Sequence, residues 1–219
     1  MFNVCNRNLE IIMAIDKKEH IINVAIELFS EKGFEGTSIR DLATKASVNV
    51  AMVNYYFGSK ENLFKAMVEH RATYIRERLE EITNNTNTTE IEKLDAIIEH
   101  YVYRFLTHHK YHRVIHQELL LEQREDIRDT IIKVFSKNKD IIQAIIESGI
   151  KKKVFKKVDV EFTIVTIIGT INQATLSKSM CSIMMDKGKD FDLYTDETFR
   201  KRIVKHLKQV IHSHLLIEQ

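Results

Sequence analysis

The sequence contains no proline and only six glycines among its 219 residues. Proline and glycine are the residues that most often interrupt helices, so their scarcity leaves the chain few places to break. Three of the glycines, Gly33, Gly36 and Gly58, lie at turns between N-terminal segments with helical spacing. The composition therefore predicts a chain that is nearly all helix.

Cysteine is equally scarce, and its two positions, Cys5 and Cys181, are far apart in the sequence. We therefore expect neither a structural disulfide nor a zinc site of clustered cysteines. The sequence also lacks an apolar run that approaches the length of a bilayer span, and the apolar part of residues 1–18 is too short and too interrupted for a signal peptide. These absences indicate a cytoplasmic protein.

The remaining composition is that of an ordinary soluble protein, with 44% hydrophobic and 29% charged residues. A chain of 219 residues can bury a good core in one large or two small domains. The formal net charge of +2 favours no particular partner. Function must therefore be inferred from local patterns.

Residues 21–63 contain three amphipathic segments separated by tight turns. The first has apolar residues at the spacing of one helical face: Ile21, Ala25, Leu28 and Phe29. It stops at Gly33, and Ser38 with Asp41 three residues later makes a weak capping box for the second segment. These proportions are typical of a helix-turn-helix head.

The third segment, from about Asn49 to Tyr55, is too short to be stable alone, so the first two helices must hold it. Val53 and Phe57 are its predicted inward positions. The opposite face is small enough to enter a major groove: Val50, Ala51, Asn54 and Tyr55. An amide on that face can read adenine, and small apolar groups can contact the methyl group of thymine.

These residues resemble the N-terminal pattern of TetR-type transcriptional regulators. The matching positions are Leu28, Phe29, Lys32, Gly33, Phe34, Thr37, Ser38, Leu42, Ala43, Tyr56, Phe57, Ser59, Lys60, Glu61 and Leu63. The match covers roughly a fifth of the chain, and the rest agrees only in length and helical character. Two positions depart: Ser47 stands at the family's turn glycine, which predicts a strained turn, and Asn54 stands where the family usually has tyrosine.

The resemblance implies an all-α fold with an N-terminal three-helix helix-turn-helix DNA-binding domain and a C-terminal helical ligand-binding and dimerisation domain. It divides the chain into a flexible N-terminal arm (1–15), a DNA-binding domain (16–62) and an effector-binding and dimerisation domain (63–219). The implied function is a ligand-responsive transcriptional regulator, a repressor that a small-molecule effector releases from a palindromic operator in double-stranded DNA.

The DNA-contacting residues are predicted from their placement, because the cations and anions of the head are balanced. The candidates for positioning on phosphates are Thr37, Ser38, Arg40, Tyr56 and Lys60. The candidates for groove contact are Val50, Ala51, Asn54 and Tyr55, with the DNA backbone as an alternative partner for Tyr55. Asn49, at the start of the same helix, completes the set.

Two late segments, 159–185 and 196–217, carry apolar stripes that exceed the needs of one chain. Paired with a second copy, they would make a four-helix interface in a homodimer. The interface candidates are Phe162, Val165, Ile168, Gly169, Phe199, Ile203, Leu207 and Val210. The alternative is that both stripes are core within one chain.

Residues 100–116 crowd aromatic and titratable groups into one stretch, as expected near a pocket. The candidates for lining an effector site are His100, Tyr103, Phe105, His116 and Gln173, and the effector is expected to be apolar or amphipathic. Histidines four residues apart suggest a metal site, but no carboxylate lies at matching spacing, so we expect neither a metal nor a cofactor.

An enzyme is a weak alternative, because the sequence has no GxSxG, HExxH, CxxC or phosphate-binding glycine loop. No catalytic residues are therefore predicted. A stronger alternative is a helical homodimeric interaction module that has lost DNA binding. Asn54, Ser47 and the near-neutral head favour that alternative.

Overall fold

The protein is built almost entirely from helices. The structure, a computed structural model, describes residues 2–121, 123–188 and 190–217, with side chains from Lys17 onward. Over these residues it has ten helices: α1 (Phe2–Lys32), α2 (Ile39–Lys45), α3 (Val50–Phe57), α4 (Lys60–Asn84), α5 (Glu90–Thr107), α6 (His109–Leu121), α7 (Glu125–Lys151), α8 (Val160–Leu176), α9 (Lys178–Met184) and α10 (Glu197–Leu215). The predicted all-α class is confirmed.

The helices divide into two compact units. Unit 1 consists of Met1–Arg71 and Val114–Ile132, and unit 2 of Ala72–Arg113 and Lys133–Gln219. The divisions fall inside α4, α6 and α7, so each of these helices contributes to both units. Parts of α6 and α7 thus belong with the N-terminal helices, whereas the sequence predicts a division at residue 62. The functional division of the chain stays a prediction.

An aromatic cluster forms the centre of the N-terminal helices in unit 1. The ring centroid of Phe34 lies 5.4 Å from that of Phe29 and 5.6 Å from that of Phe64. α2 packs against both α1 and α3, and Val53 and Phe57 of α3 are buried, as predicted. Because an eight-residue helix is unstable alone, these contacts are what hold α3 in place.

The ends of the short helices follow the local sequence. α1 ends at Lys32, and Gly33 has a φ of 74°. Ser38 and Asp41 form the predicted capping box at the start of α2. The turn between α2 and α3 holds Ser47 at a φ of 54°, in the left-handed region that favours glycine, so the predicted strain at Ser47 is confirmed.

The start of α1 differs from the prediction. The sequence predicts a flexible arm over residues 1–15, but the backbone of α1 is helical from Phe2. Met1 lies outside the described residues. No proline or glycine interrupts residues 2–32, so a helix that begins in the head can continue toward the N-terminus without a break.

Unit 2 has a core built mainly from α5, α8 and α10, which pack against one another pairwise. α10 contributes one buried stripe, spaced at three to four residues: Phe199, Ile203, Leu207, Ile211 and Leu215. At the start of α5, the buried carboxylate of Glu90 accepts hydrogen bonds from Ser148 and Lys152 near the end of α7. These contacts fasten α7 to α5.

Two helix ends in unit 2 depend on neighbouring segments. α7 ends at Lys151, and Gly149 in its last turn allows Phe155 to approach, since a Cβ there would lie 2.1 Å from the phenylalanine ring. The segment 159–185 was predicted as one helix but breaks at Ser177 into α8 and α9. The hydroxyl of Tyr194 donates to the carbonyl of Thr175 at 2.9 Å, which satisfies an acceptor at that break.

Among the described residues, no helix combines the length and the apolar character needed to cross a membrane.

Candidate functional site

One face of α3 is open to solvent. Val50 is 39% exposed and Tyr55 is 85% exposed, and Ala51 and Asn54 between them are exposed as well. At the start of the helix, the side chain of Asn49 accepts a hydrogen bond from the backbone of Met52 at 2.7 Å. The predicted groove-contact residues therefore lie together on one small surface, on a helix fixed by its buried face.

Thr37 is wrongly predicted as a phosphate contact. It is only 1% exposed, and its hydroxyl donates to the carbonyl of Gly33 at 2.8 Å, which closes the turn after α1. Ser38 is exposed, but its hydroxyl donates to Asp41 at 2.6 Å and accepts from the backbone of the same residue. The hydroxyl and the backbone N–H of Ser38 both donate to the carboxylate of Asp41, and these two hydrogen bonds lower the pKa of Asp41 to about 2, so the cap is fully charged at neutral pH.

Lys60 also has a different role from the predicted one. Its ammonium group donates to the carbonyls of Phe34 at 2.8 Å and Thr37 at 3.0 Å, and it lies 4.2 Å from the ring centroid of Phe34. Two of its three hydrogens are therefore used inside the protein. The structure makes Lys60 a residue that holds the turn between α1 and α2.

Arg40 and Tyr56 remain suited to phosphate contact. Arg40 is exposed and has neither a hydrogen bond nor an ion pair within the described part of the chain. Tyr56 is half-buried, with its ring edge-on to that of Tyr55 at 5.4 Å between centroids. The nearest cations in sequence, Lys32 and Lys45, are paired with Asp41 at 3.4 Å and with Glu31 at 3.3 Å. Arg40 is thus the open cation closest in sequence to α3.

The structure does not bring the predicted effector residues together. Phe105 is 1% exposed and stacks on His112 at 3.7 Å between ring centroids, so it belongs to the core. Tyr103 is 49% exposed, with the guanidinium of Arg200 over its ring at 5.2 Å. His116 belongs to unit 1, whereas the other candidates belong to unit 2.

Gln173 is the candidate that lines a cavity. A groove of about 550 Å³ lies among α8, α9 and α10, with Gln173, Gly169, Cys181 and His206 in its wall. A second groove, of about 690 Å³, lies between α5 and α10 and contains Arg200 and Lys208. Neither groove contains the other four candidates.

Two buried side-chain atoms are suited to a ligand: Nε2 of the half-buried His100 and Oδ1 of the buried Asn138. Burial lowers the pKa of His100 from 6.5 to about 4, helped by the positive charges of Arg104 and Arg78, and its Nε2 has no hydrogen-bond partner. Asn138 is 5% exposed, and its Oδ1 likewise has none. Asn138 is not among the residues predicted from the sequence, although its amide lies within an apolar stripe that includes Ile131 and Ile142.

The predicted dimer residues separate into two groups. Phe162 is 70% exposed, Val165 is 59% exposed, and Gly169, Ile168 and Val210 are exposed or half-buried. The remaining three are wrong as interface residues, because they are at most 8% exposed and pack inside unit 2: Phe199, Ile203 and Leu207. The buried stripe of α10 is therefore core within one chain, whereas the face of α8 that carries Phe162, Val165 and Gly169 is exposed.

In the part of the chain that the structure describes, no three His, Cys, Asp or Glu side chains are grouped so as to hold a metal ion.

Two family models match the chain. The model of bacterial regulatory proteins, tetR family, matches residues 21–67, and a tetracyclin repressor-like C-terminal domain matches residues 87–176. The HTH-type transcriptional regulator YttP of Bacillus subtilis is 33% identical over 143 residues, which cover 64% of this chain and 68% of that protein. The chain belongs to the tetR family. The predicted ligand-responsive DNA-binding regulator of the TetR family is thereby confirmed.

One further relative and one solved structure are similar to the chain. The biofilm operon icaADBC HTH-type negative transcriptional regulator IcaR of Staphylococcus epidermidis is 29% identical over 86 residues, 39% of this chain and 45% of that protein. The structure of the transcriptional regulator FadR from Bacillus subtilis in complex with stearoyl-CoA has a TM-score of 0.67 at 23% identity, and covers 86% of this chain and 96% of FadR. This second likeness shows the fold. Nothing in these comparisons favours an interaction module that has lost DNA binding.

Proposed function

We propose that the protein is a homodimeric repressor that reads a palindromic operator with α3 of each copy and is released by an amphipathic small molecule. The exposed face of α3 carries this proposal, since its open amide and its small apolar groups match the edges of A·T pairs in a major groove. The relative IcaR is a negative transcriptional regulator, and this likeness supports repression as the mode of regulation.

The exposed face of α8 supports the homodimer. Phe162 and Val165 are large apolar groups with little cover in one chain. Gly169, on the same face, has no atom within 4 Å of the position of a Cβ. An exposed glycine inside a helix costs about 0.5–1 kcal/mol relative to alanine, and a closely approaching second helix would offset that cost.

A dimer also accounts for the predicted palindrome. One short helix contacts only a few base pairs, whereas two copies related by a two-fold axis contact two half-sites at a fixed distance. Linking the two contacts raises the overall affinity by about 10²–10⁴ over one contact alone.

The effector is proposed to bind within unit 2 as an acyl chain with a polar head. The groove of about 550 Å³ among α8, α9 and α10, whose lining includes Ala174 and Ile203, suits the chain, and FadR, which shares the fold, is in complex with stearoyl-CoA. Nε2 of the half-buried His100 and Oδ1 of Asn138 are buried atoms that a polar head could satisfy. Tyr103 and Gln173 remain proposed lining residues.

The proposed switch uses the three helices that contribute to both units. A ligand that favours one packing of unit 2 would shift α4, α6 and α7, and with them the separation of the two reading helices. The protein would act by binding and not by catalysis. Since its target is bacterial DNA, we expect it to work in the cytoplasm.

Selection of bound duplexes from a random double-stranded pool, at several salt concentrations, tests the proposed DNA reading. We expect the wild type to enrich a palindrome, and Asn54→Ala to enrich it less strongly and with a relaxed base preference at one position of each half-site. The control Asn84→Ala removes an equivalent exposed amide at the far end of α4 and should enrich the same palindrome as the wild type. Absence of enrichment at every salt concentration would instead support the interaction module.

Titration of the selected duplex with stearoyl-CoA, stearic acid and free coenzyme A tests the proposed effector. Stearoyl-CoA is expected to weaken DNA binding at least fivefold, about the lower end of allosteric coupling. If stearic acid releases the protein from the duplex and stearoyl-CoA does not, the effector class would be free fatty acids and not their coenzyme A esters. No release by any of the three would overturn the acyl-chain proposal.

A further inference from the structure

The connection between α6 and α7 is tied to the turn that follows α1. Arg124 lies in this connection, one residue before α7, and its side chain is only 17% exposed. Its guanidinium binds both carboxylate oxygens of Glu118 on α6, from Nη2 at 2.9 and 2.7 Å and from Nε at 3.0 Å. The remaining terminal nitrogen donates to Glu35, in the turn between α1 and α2.

The same guanidinium lies on the aromatic cluster of the head. Its carbon is 4.2 Å from the ring centroid of Phe34, the same distance as the ammonium of Lys60. Phe34 in turn contacts Phe29 and Phe64. Arg124 therefore touches, in one side chain, α6, the turn after α1 and the core of the head.

The chemistry of this contact makes it rigid. Glu118 has only 6% of its side chain exposed, so its charge needs a partner in a fixed place. Arginine provides that partner as a planar fork with both hydrogen bonds set at once. The neighbouring pair of Lys65 and Asp126, at 2.9 Å, is weaker in this respect, because the aspartate is 78% exposed.

The position of the contact connects it to DNA reading. The turn that holds Phe34 and Glu35 leads directly into the cap of α2, and α2 packs on α3. On the other side, α6 and α7 continue from unit 1 into unit 2. We infer that Arg124 is a positioning residue, which fixes the reading helix relative to α6 and α7 and thereby sets the half-site spacing that the regulator accepts.

Operators that differ only in spacer length give a direct readout. Each added base pair moves the second half-site by about 3.4 Å and turns it by about 35°. A rigidly held head discriminates strongly between spacers, and a loosened head discriminates less. A loss of stability alone would lower binding to every spacer by the same factor, so the two effects are distinguishable.

Two variants loosen the contact in different ways. Glu35→Ala removes an exposed carboxylate that pairs with Arg124 and, at 3.9 Å, with Lys60, and leaves the buried Glu118 paired with Arg124. The control Glu31→Ala removes an exposed carboxylate that pairs with Lys45 within the head. The double variant Glu118→Leu/Arg124→Met removes both buried charges together, which proteins often tolerate.

We expect Glu35→Ala and the double variant to bind operators whose spacer is one base pair longer or shorter. Their affinity for these operators should lie within about fivefold of that for the best spacer. The wild type and Glu31→Ala should retain a sharp preference. Unchanged preference in both test variants would overturn the inference.

Hydrogen exchange in the free protein separates this inference from the proposed DNA reading. Glu35→Ala should speed amide exchange in residues 114–132 by about twofold to fivefold relative to Glu31→Ala, as loss of a partly exposed ion pair allows. Equal exchange in the two variants would contradict the contact itself, whether or not any operator is found. If Glu35→Ala exchanges faster than Glu31→Ala but the wild type binds no operator, the contact of Arg124 is supported and the proposed DNA reading is rejected.

Discussion

The exposed faces of α3 and α8 both carry apolar side chains, but they differ in their hydrogen-bonding groups. On α3, the amide of Asn54 and the hydroxyl of Tyr55 have no hydrogen-bond partner among the described residues. On α8, the hydroxyls of Thr166 and Thr170 donate to carbonyls of their own helix at 2.8 Å. The first face can therefore bind the polar edges of bases, and the second is suited to a dry contact with another protein surface.

The largest effect is expected from a charge on the α8 face. Val165→Glu should prevent dimerisation, because a carboxylate would lose its water in the contact. DNA binding should then fall by about 10²-fold or more, since each half-site would be bound alone. Light scattering and titration of the operator measure the two effects. Val154→Glu, at an exposed valine outside α8, is the control and should remain dimeric.

A smaller effect is expected on the α3 face. Asn54→Ala should cost about 1–3 kcal/mol of operator binding and relax the base preference at one position of each half-site. Binding isotherms on operators changed one base pair at a time test this. An equal loss on every sequence would show that Asn54 contacts the backbone and not a base.

Arg40→Ala should weaken binding several-fold on all sequences and reduce the slope of log affinity against log salt by about 1, as expected for one phosphate contact. Thr37→Val is the contrasting variant. Because its hydroxyl is bonded inside the head, this change should lower the free energy of unfolding by about 1 kcal/mol and leave the salt slope unchanged. A changed slope for Thr37→Val would restore it as a phosphate contact.

The two capping boxes allow the units to be compared with one kind of change. Ser38→Ala at α2 and Thr89→Ala at α5 should each lower the free energy of unfolding by about 1 kcal/mol in urea titrations. Only Ser38→Ala should also weaken operator binding, because α2 packs on α3. Equal effects on DNA binding would contradict this separation.

The smallest effect is expected from pH. The pKa of His100 is lowered to about 4 in the folded protein, so the unfolded chain binds more protons at this residue as the pH falls from 6.5 toward 4. Stability should therefore be lost over that window, and less so in His100→Gln. Urea titrations at several pH values compare the two proteins. Parallel curves would mean that His100 does not titrate differently on folding.

The sequence predicts the turns and caps around α2 and α3 well, because these helices are short and local residues determine where they begin and end. The glycine at position 33, the box at Ser38 and the open face of α3 each depend on residues within four positions of one another. Thr37 and Lys60 could not be assigned this way. The Thr37 hydroxyl bonds the carbonyl of Gly33, only four residues away, but the burial that removes Thr37 from solvent depends on the folded turn. The two carbonyls that Lys60 binds are 23 and 26 residues away in sequence.

Unit 2 is harder to predict, because an apolar stripe shows that a helix face is buried but not what buries it. The stripes of α8 and α10 have similar spacing, yet Leu207 is 1% exposed and Val165 is 59% exposed. The break at Ser177 has no proline or glycine to signal it, and its acceptor is satisfied by Tyr194, which lies beyond α9. Such partners depend on tertiary packing and not on local pattern.

The close approach of Phe155 to Gly149 limits how this gene can diverge. Even alanine at position 149 would place a carbon 2.1 Å from the ring, whereas Gly188 has no atom within 4 Å of the same position. Descendants of the gene should therefore vary freely at 188 but retain glycine at 149, unless residue 155 becomes smaller in the same lineage. Positions 149 and 155 are expected to evolve as a pair.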